Sequence, residues 1–237
     1  MALYGDEGVV LRTYRLGEAD RIVVLMTRGH GKVRAVARGV RKTTSRIGGR
    51  LEPPSHVAVQ LYAGRELDVV TQVETVEAFR PLREDLDRLA RATMVLEAVD
   101  HLAREREADA GLYRMLVGAL RTLAASASPL VVPAFFWKLC AHEGFAPVLD
   151  VCVVCGAGAE LVAFDPGEGG MTCRACRRGR PVSAAARAIV ARVLGGELGR
   201  VLAEQHPPAV VAEVDALATA VLEHHLERRL RSAGVVG

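Results

Sequence analysis

Aromatic side chains are scarce in this chain: one tryptophan, four tyrosines and five phenylalanines among 237 residues, 4% in all. Reading nucleobases by stacking requires exposed rings, so few positions are open to it; Tyr4, Tyr14, Tyr62 and Phe79 are those near the amino end. No apolar run approaches the ~20 residues of a membrane-spanning helix, which points to a soluble protein with no membrane partner. The opening Met-Ala-Leu-Tyr-Gly-Asp-Glu lacks the basic and apolar regions of a secretory leader. No H-E-x-x-H, G-x-S-x-G or G-x-G-x-x-G pattern occurs. Gly29-His30-Gly31-Lys32 lacks the spacing of a phosphate-binding loop and reads as a tight hairpin turn. Glu84, Asp85 and Asp87 stand where a helical pattern begins, and the positive end of a helix accounts for them. No catalytic residue emerges, and an enzyme is not expected.

Cysteine is also sparse, but four of the five are ordered. Cys152 and Cys155 form one C-x2-C pair, Cys173 and Cys176 a second, and seventeen residues lie between the pairs. Each pair suits a short turn, and the spacer can return the second pair on a hairpin, as in a four-thiolate zinc site. Two disulfides would suit a small secreted domain, and a redox dithiol would need a βαβ setting; neither context is visible. Four thiolates leave no open coordination position, so one structural Zn2+ is expected, doing no chemistry. Cys140, the fifth, reads as a buried free thiol.

Charge is close to balanced, at net +3, but unevenly distributed. Residues 28–50 carry eight basic side chains and no acidic one. Arg38 to Arg50 has little apolar content and reads as a mobile loop. One sign of charge over such a length repels itself and points to an anionic partner, nucleic acid before lipid, since the apolar face for membrane insertion is missing.

Five short apolar segments, 7–13, 21–27, 32–38, 56–62 and 67–74, read as strands. That count suits a small closed barrel, OB or SH3-like, and the long basic connection between strands three and four favours the OB type. In strand three, alternation puts Val33, Ala35 and Ala37 on one face and Lys32, Arg34, Val36 and Arg38 on the other, so strand and basic loop can form one groove. After Pro81 the period becomes helical. Phe135, Phe136 and Trp137 are read as helix core, with a pocket for a partner's hydrophobic tail as the rival. Ser183 reads as the cap of a helix over 184–194, and a last helix is expected from Pro208 to Arg231. His224 and His225 read as surface or packing residues. The predicted fold is α+β: an OB-fold barrel at 1–80, an α-helical domain at 81–149 and 182–237, and an inserted four-cysteine zinc finger at 150–181.

Gly8-Val-Val-Leu-Arg-Thr13, Gly17-Glu-Ala-Asp-Arg-Ile22, Thr27, Gly31-Lys32, Ala37-Arg-Gly-Val-Arg-Lys42 and Ser45-Arg46, with the closing Leu222-Glu-His-His-Leu-Glu-Arg-Arg-Leu-Arg-Ser232, resemble bacterial RecO, a family of recombination mediators. The resemblance implies binding of single- and double-stranded DNA, annealing of complementary strands, cooperation with RecR, contact with single-stranded-DNA-binding protein and, indirectly, loading of RecA. It implies a cytoplasmic, nucleoid-associated protein. By position it assigns DNA contact to Lys32, Arg34, Arg38, Arg41, Lys42 and Arg46; it implies that the partner's tail docks on the helical domain, where no short motif marks the place and Arg121, Phe135 and Trp137 are the candidates. The alternative from another class is a zinc-stabilised RNA-processing enzyme using an OB domain to deliver substrate.

Overall fold

Alternating side chains build the amino-terminal part. A computed structural model, which describes residues 2–41, 45, 47–227 and 229–232, has strands β1 (Leu3–Leu16), β2 (Asp20–Thr27), β3 (Gly31–Ala37), β4 (His56–Tyr62) and β5 (Asp68–Glu77). They close into a barrel of order β1-β2-β3-β5-β4. β1 serves both β2 and β4 because it is 14 residues long and carries a bulge between Val10 and Arg12, which bends it. β3 and β5 run parallel and share only two pairs, Ala35–Asp68 and Val36–Val69. This closed five-strand order is OB-like, which decides between the two barrel types that strand count leaves open. Val10, Val23, Leu25, Val33, Val57 and Leu61 fill the interior. Along β3 Val33, Ala35 and Ala37 are buried while Arg34 is exposed, the expected period of two.

Where β5 does not reach β3, another segment does. The Lys32 N–H donates to the Arg104 carbonyl (3.2 Å) and the Arg106 N–H to the Lys32 carbonyl (3.0 Å). Gly31 sits at φ +65°, and a Cβ there would stand 1.9 Å from the Glu107 carbonyl oxygen, so only glycine fits. The Arg106 guanidinium makes two 2.8 Å hydrogen bonds to the fully buried Asp68 carboxylate, which also accepts from the Tyr4 hydroxyl. Burial alone would raise the Asp68 pKa, but the Arg106 fork and Tyr4 outweigh it and hold the carboxyl below its usual range.

At its described positions the basic connection departs from the expected mobile loop; residues 42–44 and 46 lie outside the described residues. Val40 is buried, Ile47 packs on the barrel interior, and a 3-10 turn over Gly48–Leu51 buries Leu51 completely. Few apolar residues suffice because they join a core the strands already form. Helices α1 (Arg80–Arg83), α2 (Leu86–Leu102) and α3 (Ala110–Ala125) follow. Asp85 caps α2, its carboxylate accepting from the Arg88 N–H at 3.1 Å.

The chain divides into two compact units between Ala125 and Ser126. The second begins with α4 (Val131–His142), then strands β6 (Leu161–Asp165), β7 (Gly170–Cys173) and β8 (Arg180–Pro181) in the order β7-β6-β8. Helices α5 (Ala184–Leu194), α6 (Leu198–Ala203) and α7 (Pro208–Leu226) complete it. Trp137 of α4 and Phe164 of β6, both fully buried, meet edge to face at 5.8 Å. Segment 156–170 thus has more core than its small residues suggest. Ser183 caps α5 as expected, accepting from the Ala186 N–H at 3.1 Å. α6 has only six residues, too few to show a period. α7 stops at Leu226, short of Arg231, because Glu227 turns left-handed at φ +51°. Among the described residues no helix is long and apolar enough to cross a membrane.

Candidate functional site: a basic barrel face and a four-cysteine cluster

Strand register sets the outer face of β1–β3. Arg12 lies opposite Val24 and Val24 opposite Arg34; Tyr14 lies opposite Ile22 and Ile22 opposite Val36. With strands about 4.8 Å apart, the Arg12 and Arg34 backbones stand roughly 10 Å from each other. These residues and Lys32 line a cleft of about 420 Å3, closed on its other side by Asp100 from the end of α2 and by Glu105.

The cations on this face are held with unequal strength. Arg12 forms an ion pair with Asp100, Nε to Oδ2 at 2.7 Å, and the guanidinium lies over the Tyr14 ring, 4.8 Å from its centroid. Lys32 Nζ donates to the Asp100 main-chain carbonyl at 2.6 Å and stands 3.8 Å from Asp100 Oδ1. Among the described residues Arg34 pairs with Glu105 alone, at 4.0 Å, and both side chains are exposed; such a pair is worth about 0–1 kcal/mol. Past β3, Asp20 Oδ1 accepts from the Gly39 N–H at 2.7 Å, and the Arg41 N–H donates to the Ala19 carbonyl at 3.0 Å. This fastens the turn that carries Arg38 and Arg41. Both are exposed; Arg41 Nη1 donates to the Gly17 carbonyl at 3.1 Å. Lys42 and Arg46 lie outside the described residues.

In the second unit the C-x2-C turns converge. The Gly156 N–H donates to the Cys152 carbonyl (2.8 Å) and the Cys176 N–H to the Cys173 carbonyl (3.2 Å). β7 delivers Cys173 directly. Gly179, at φ +83°, lets the chain pass against Phe164, whose carbonyl oxygen would lie 2.0 Å from an added Cβ. All four sulfurs lie within 4.8 Å of one another. Cys155 Sγ and Cys173 Sγ are 3.7 Å apart, too far for a disulfide, whose bond is about 2.05 Å. Four sulfurs at about 2.3 Å from a tetrahedral ion would be roughly 3.8 Å apart, so the donor set fits a metal ion. Backbone amides, Cys173's first, bring the Cys152 pKa down to about 6, whereas hydrogen bonds to Cys155 and Cys173 push Cys176 up to about 12. Thiols crowded this way share protons and accept a cation in their place.

The family model described as Recombination protein O N terminal matches residues 1–79, and that described as Recombination protein O C terminal matches 83–233. The DNA repair protein RecO of Nocardioides sp. is 44% identical over 243 residues, 99% of each chain. That of Streptomyces coelicolor is 43% identical over 244 residues, 98% of each. The chain belongs to the RecO family.

Within this RecO-family chain the residues expected at a partner surface are placed differently from one another. Arg121 is exposed on α3, its Nε donating to Glu77 at 2.8 Å. Phe135 is 5% and Trp137 0% exposed, so both are packing residues that present no surface as folded. Cys140 is buried, which pushes its thiol to about 12. His225 stacks on Phe145 at 4.0 Å. Arg174 and Arg178, beside the second cysteine pair, face Glu160 (3.9 Å) and Asp165 (3.7 Å). Sequence reasoning missed the cleft residues Arg12, Asp100 and Glu105. The one available signal was Asp100 itself, an acid inside the apolar pattern of α2, which must find a partner when buried.

Proposed function

We propose that this chain is a DNA-repair and recombination mediator that binds single- and double-stranded DNA, anneals complementary strands and, with RecR, helps load RecA. Its DNA contacts are Lys32, Arg34, Arg38, Arg41, Lys42 and Arg46. The observation that carries this reading is the acid-free basic run that continues from the outer face of β3 into the following connection. A basic groove lowers the repulsion between two strands by releasing their counterions, which is what annealing requires and involves no bond cleavage. Of the four that are described, Arg34, Arg38 and Arg41 are the freest to meet phosphate, while Lys32 is tied to Asp100. Residues 1–80 act as the nucleic-acid-binding domain, 81–149 and 182–237 as the helical domain, and 150–181 as the zinc-finger insertion.

The four cysteines hold one structural Zn2+, which fixes the insertion by folding and performs no reaction. Single-stranded-DNA-binding protein is the partner expected on the helical segments, with Arg121 as the accessible candidate and Phe135 and Trp137 supporting α4 from within. The protein works in the bacterial cytoplasm at the nucleoid. Strand annealing with and without single-stranded-DNA-binding protein tests the reading. Annealing of both bare and coated strands is expected; covalent change in labelled DNA or RNA, or no annealing at all, would contradict it.

A further inference from the structure

We propose that His56 and Tyr113 form a pH-sensitive latch that seats helix α3 on the barrel and is released by acid. This goes beyond the DNA-binding reading and does not rest on it. His56 opens β4, where its register partners are Val9 of β1 and Glu77 of β5. Tyr113 lies 57 residues further on, in the first turn of α3. Both are buried, at 4% and 6% exposed, and their rings meet edge to face with centroids 5.9 Å apart. His56 Nε2 and the Tyr113 hydroxyl share a hydrogen bond of 2.6 Å. His56 Nδ1 is buried and has no hydrogen-bond partner among the described residues. A second tie between α3 and the barrel, Arg121 to Glu77, is an exposed ion pair, of the kind that holds weakly.

Only the neutral imidazole suits this place. Its single hydrogen sits on Nε2, where the Tyr113 oxygen accepts it, and Nδ1 keeps a bare lone pair. A proton added at Nδ1 makes a second donor with nothing to accept it and puts a charge inside the packing. The groups around the ring do not rescue that charge. Glu7 of β1 and Glu77 of β5 favour it and Arg121 of α3 opposes it, but loss of water outweighs the two carboxylates and holds His56 below its usual value. Arg83 of α1 is bound to Ser55 Oγ at 2.6 Å and brings no counter-charge. Burial first, then Glu7 and Asp6 against Arg28 and Arg121, pushes the Tyr113 hydroxyl up to about 12, so it stays protonated. An unfolded chain gains its imidazole proton as pH falls through about 6.5, the folded chain only at a lower pH. The latch is therefore at full strength above about 6.5 and is lost as pH falls towards the folded value, because the proton favours the form in which α3 has left the ring.

The test follows urea unfolding of the metal-loaded full chain at about pH 7.5 and 5.5, read at the amide NMR signals of β4 and α3. Comparison with His56→Gln, which keeps a hydrogen-bonding group and cannot gain a proton, cancels groups that titrate elsewhere. Over that interval the folding constant of wild type is expected to fall about five- to tenfold more than that of His56→Gln. Tyr113→Phe is expected to lower the folding constant about fivefold at both pH values and to keep the wild-type pH dependence, because burial and not the hydroxyl holds the ring neutral. In native wild type the ring nitrogens of His56 are expected to show a neutral imidazole at about pH 6. Equal pH dependence in wild type and His56→Gln overturns the latch. So does a His56 ring already half protonated at about pH 6.5 or above, a measurement that needs only wild type and decides the matter if His56→Gln fails to fold.

Discussion

The barrel fills its own interior, with Val23, Leu25, Val57 and Leu61 packed inside, whereas the three-stranded sheet of the second unit is small, packs Phe164 on Trp137 and gathers four cysteines beside it. The barrel core is apolar throughout, and polar side chains on its outer face are available to a ligand. In the cysteine segment the thiols face one another and the Thr172 hydroxyl donates to the Arg178 carbonyl at 3.0 Å, while Arg174 and Arg178 make only long ion pairs, at 3.9 and 3.7 Å. Two basic surfaces in one chain thus differ in kind. One lies over a filled barrel core, and the other surrounds four converging thiols.

The largest break in that contrast comes from the cysteines. Cys173→Ala, or chelation of the proposed zinc, is expected to destabilise the second unit by more than about 4 kcal/mol, with amide exchange rising in β6–β8 and staying protected in β1–β5. An unchanged melting profile would contradict a structural metal. Next comes Asp68→Asn, which leaves the half-exposed Arg106 facing a neutral partner and is expected to cost about 1.5–3 kcal/mol in urea unfolding at neutral pH. Because the folded carboxyl lies below its usual value, its contribution is present in full above about pH 4 and is lost as pH falls through the lowered folded pKa. The Asn variant should lose less stability on acidification than wild type.

A smaller effect on folding but a large one on binding is expected from Arg38→Ala, Arg41→Ala and Lys42→Ala together. Stability should change little, while the log–log salt slope on single strands should become shallower by roughly 2, at about 0.7 per phosphate contact. The loss should be alike on every sequence. Smallest is Arg174→Ala: its partner Glu160 is 3.9 Å away and both are exposed, so oligonucleotide affinity should stay within twofold and melting within about 0.5 kcal/mol. A larger loss of affinity would place DNA on the cysteine segment as well.

Local signals carried most of what the sequence reveals. The two C-x2-C pairs could be read because a knuckle is a local turn. Period two marks β3; β1 and β2 could be read from short apolar runs that are buried continuously at Gly8–Leu11 and Val23–Thr27, and Ser183 and Asp85 mark helix starts by the chemistry of capping. What stayed hidden is non-local. The cleft joins Arg12 of β1, Arg34 of β3 and Asp100 of α2, positions brought together only by barrel closure and by the return of α2 to β3. The anchoring of the basic connection by Val40 and Leu51 was masked by a composition dominated by charge and glycine. Trp137 and Phe135 carry the same residue types whether they fill a core or line a groove, and only their burial separates the two.

The most direct measurement is the affinity of the metal-loaded protein for a labelled single strand across a series of salt concentrations. If six basic side chains of the barrel face meet phosphates, the log–log slope is roughly −4. A slope near zero, or no binding at physiological ionic strength, would contradict the account.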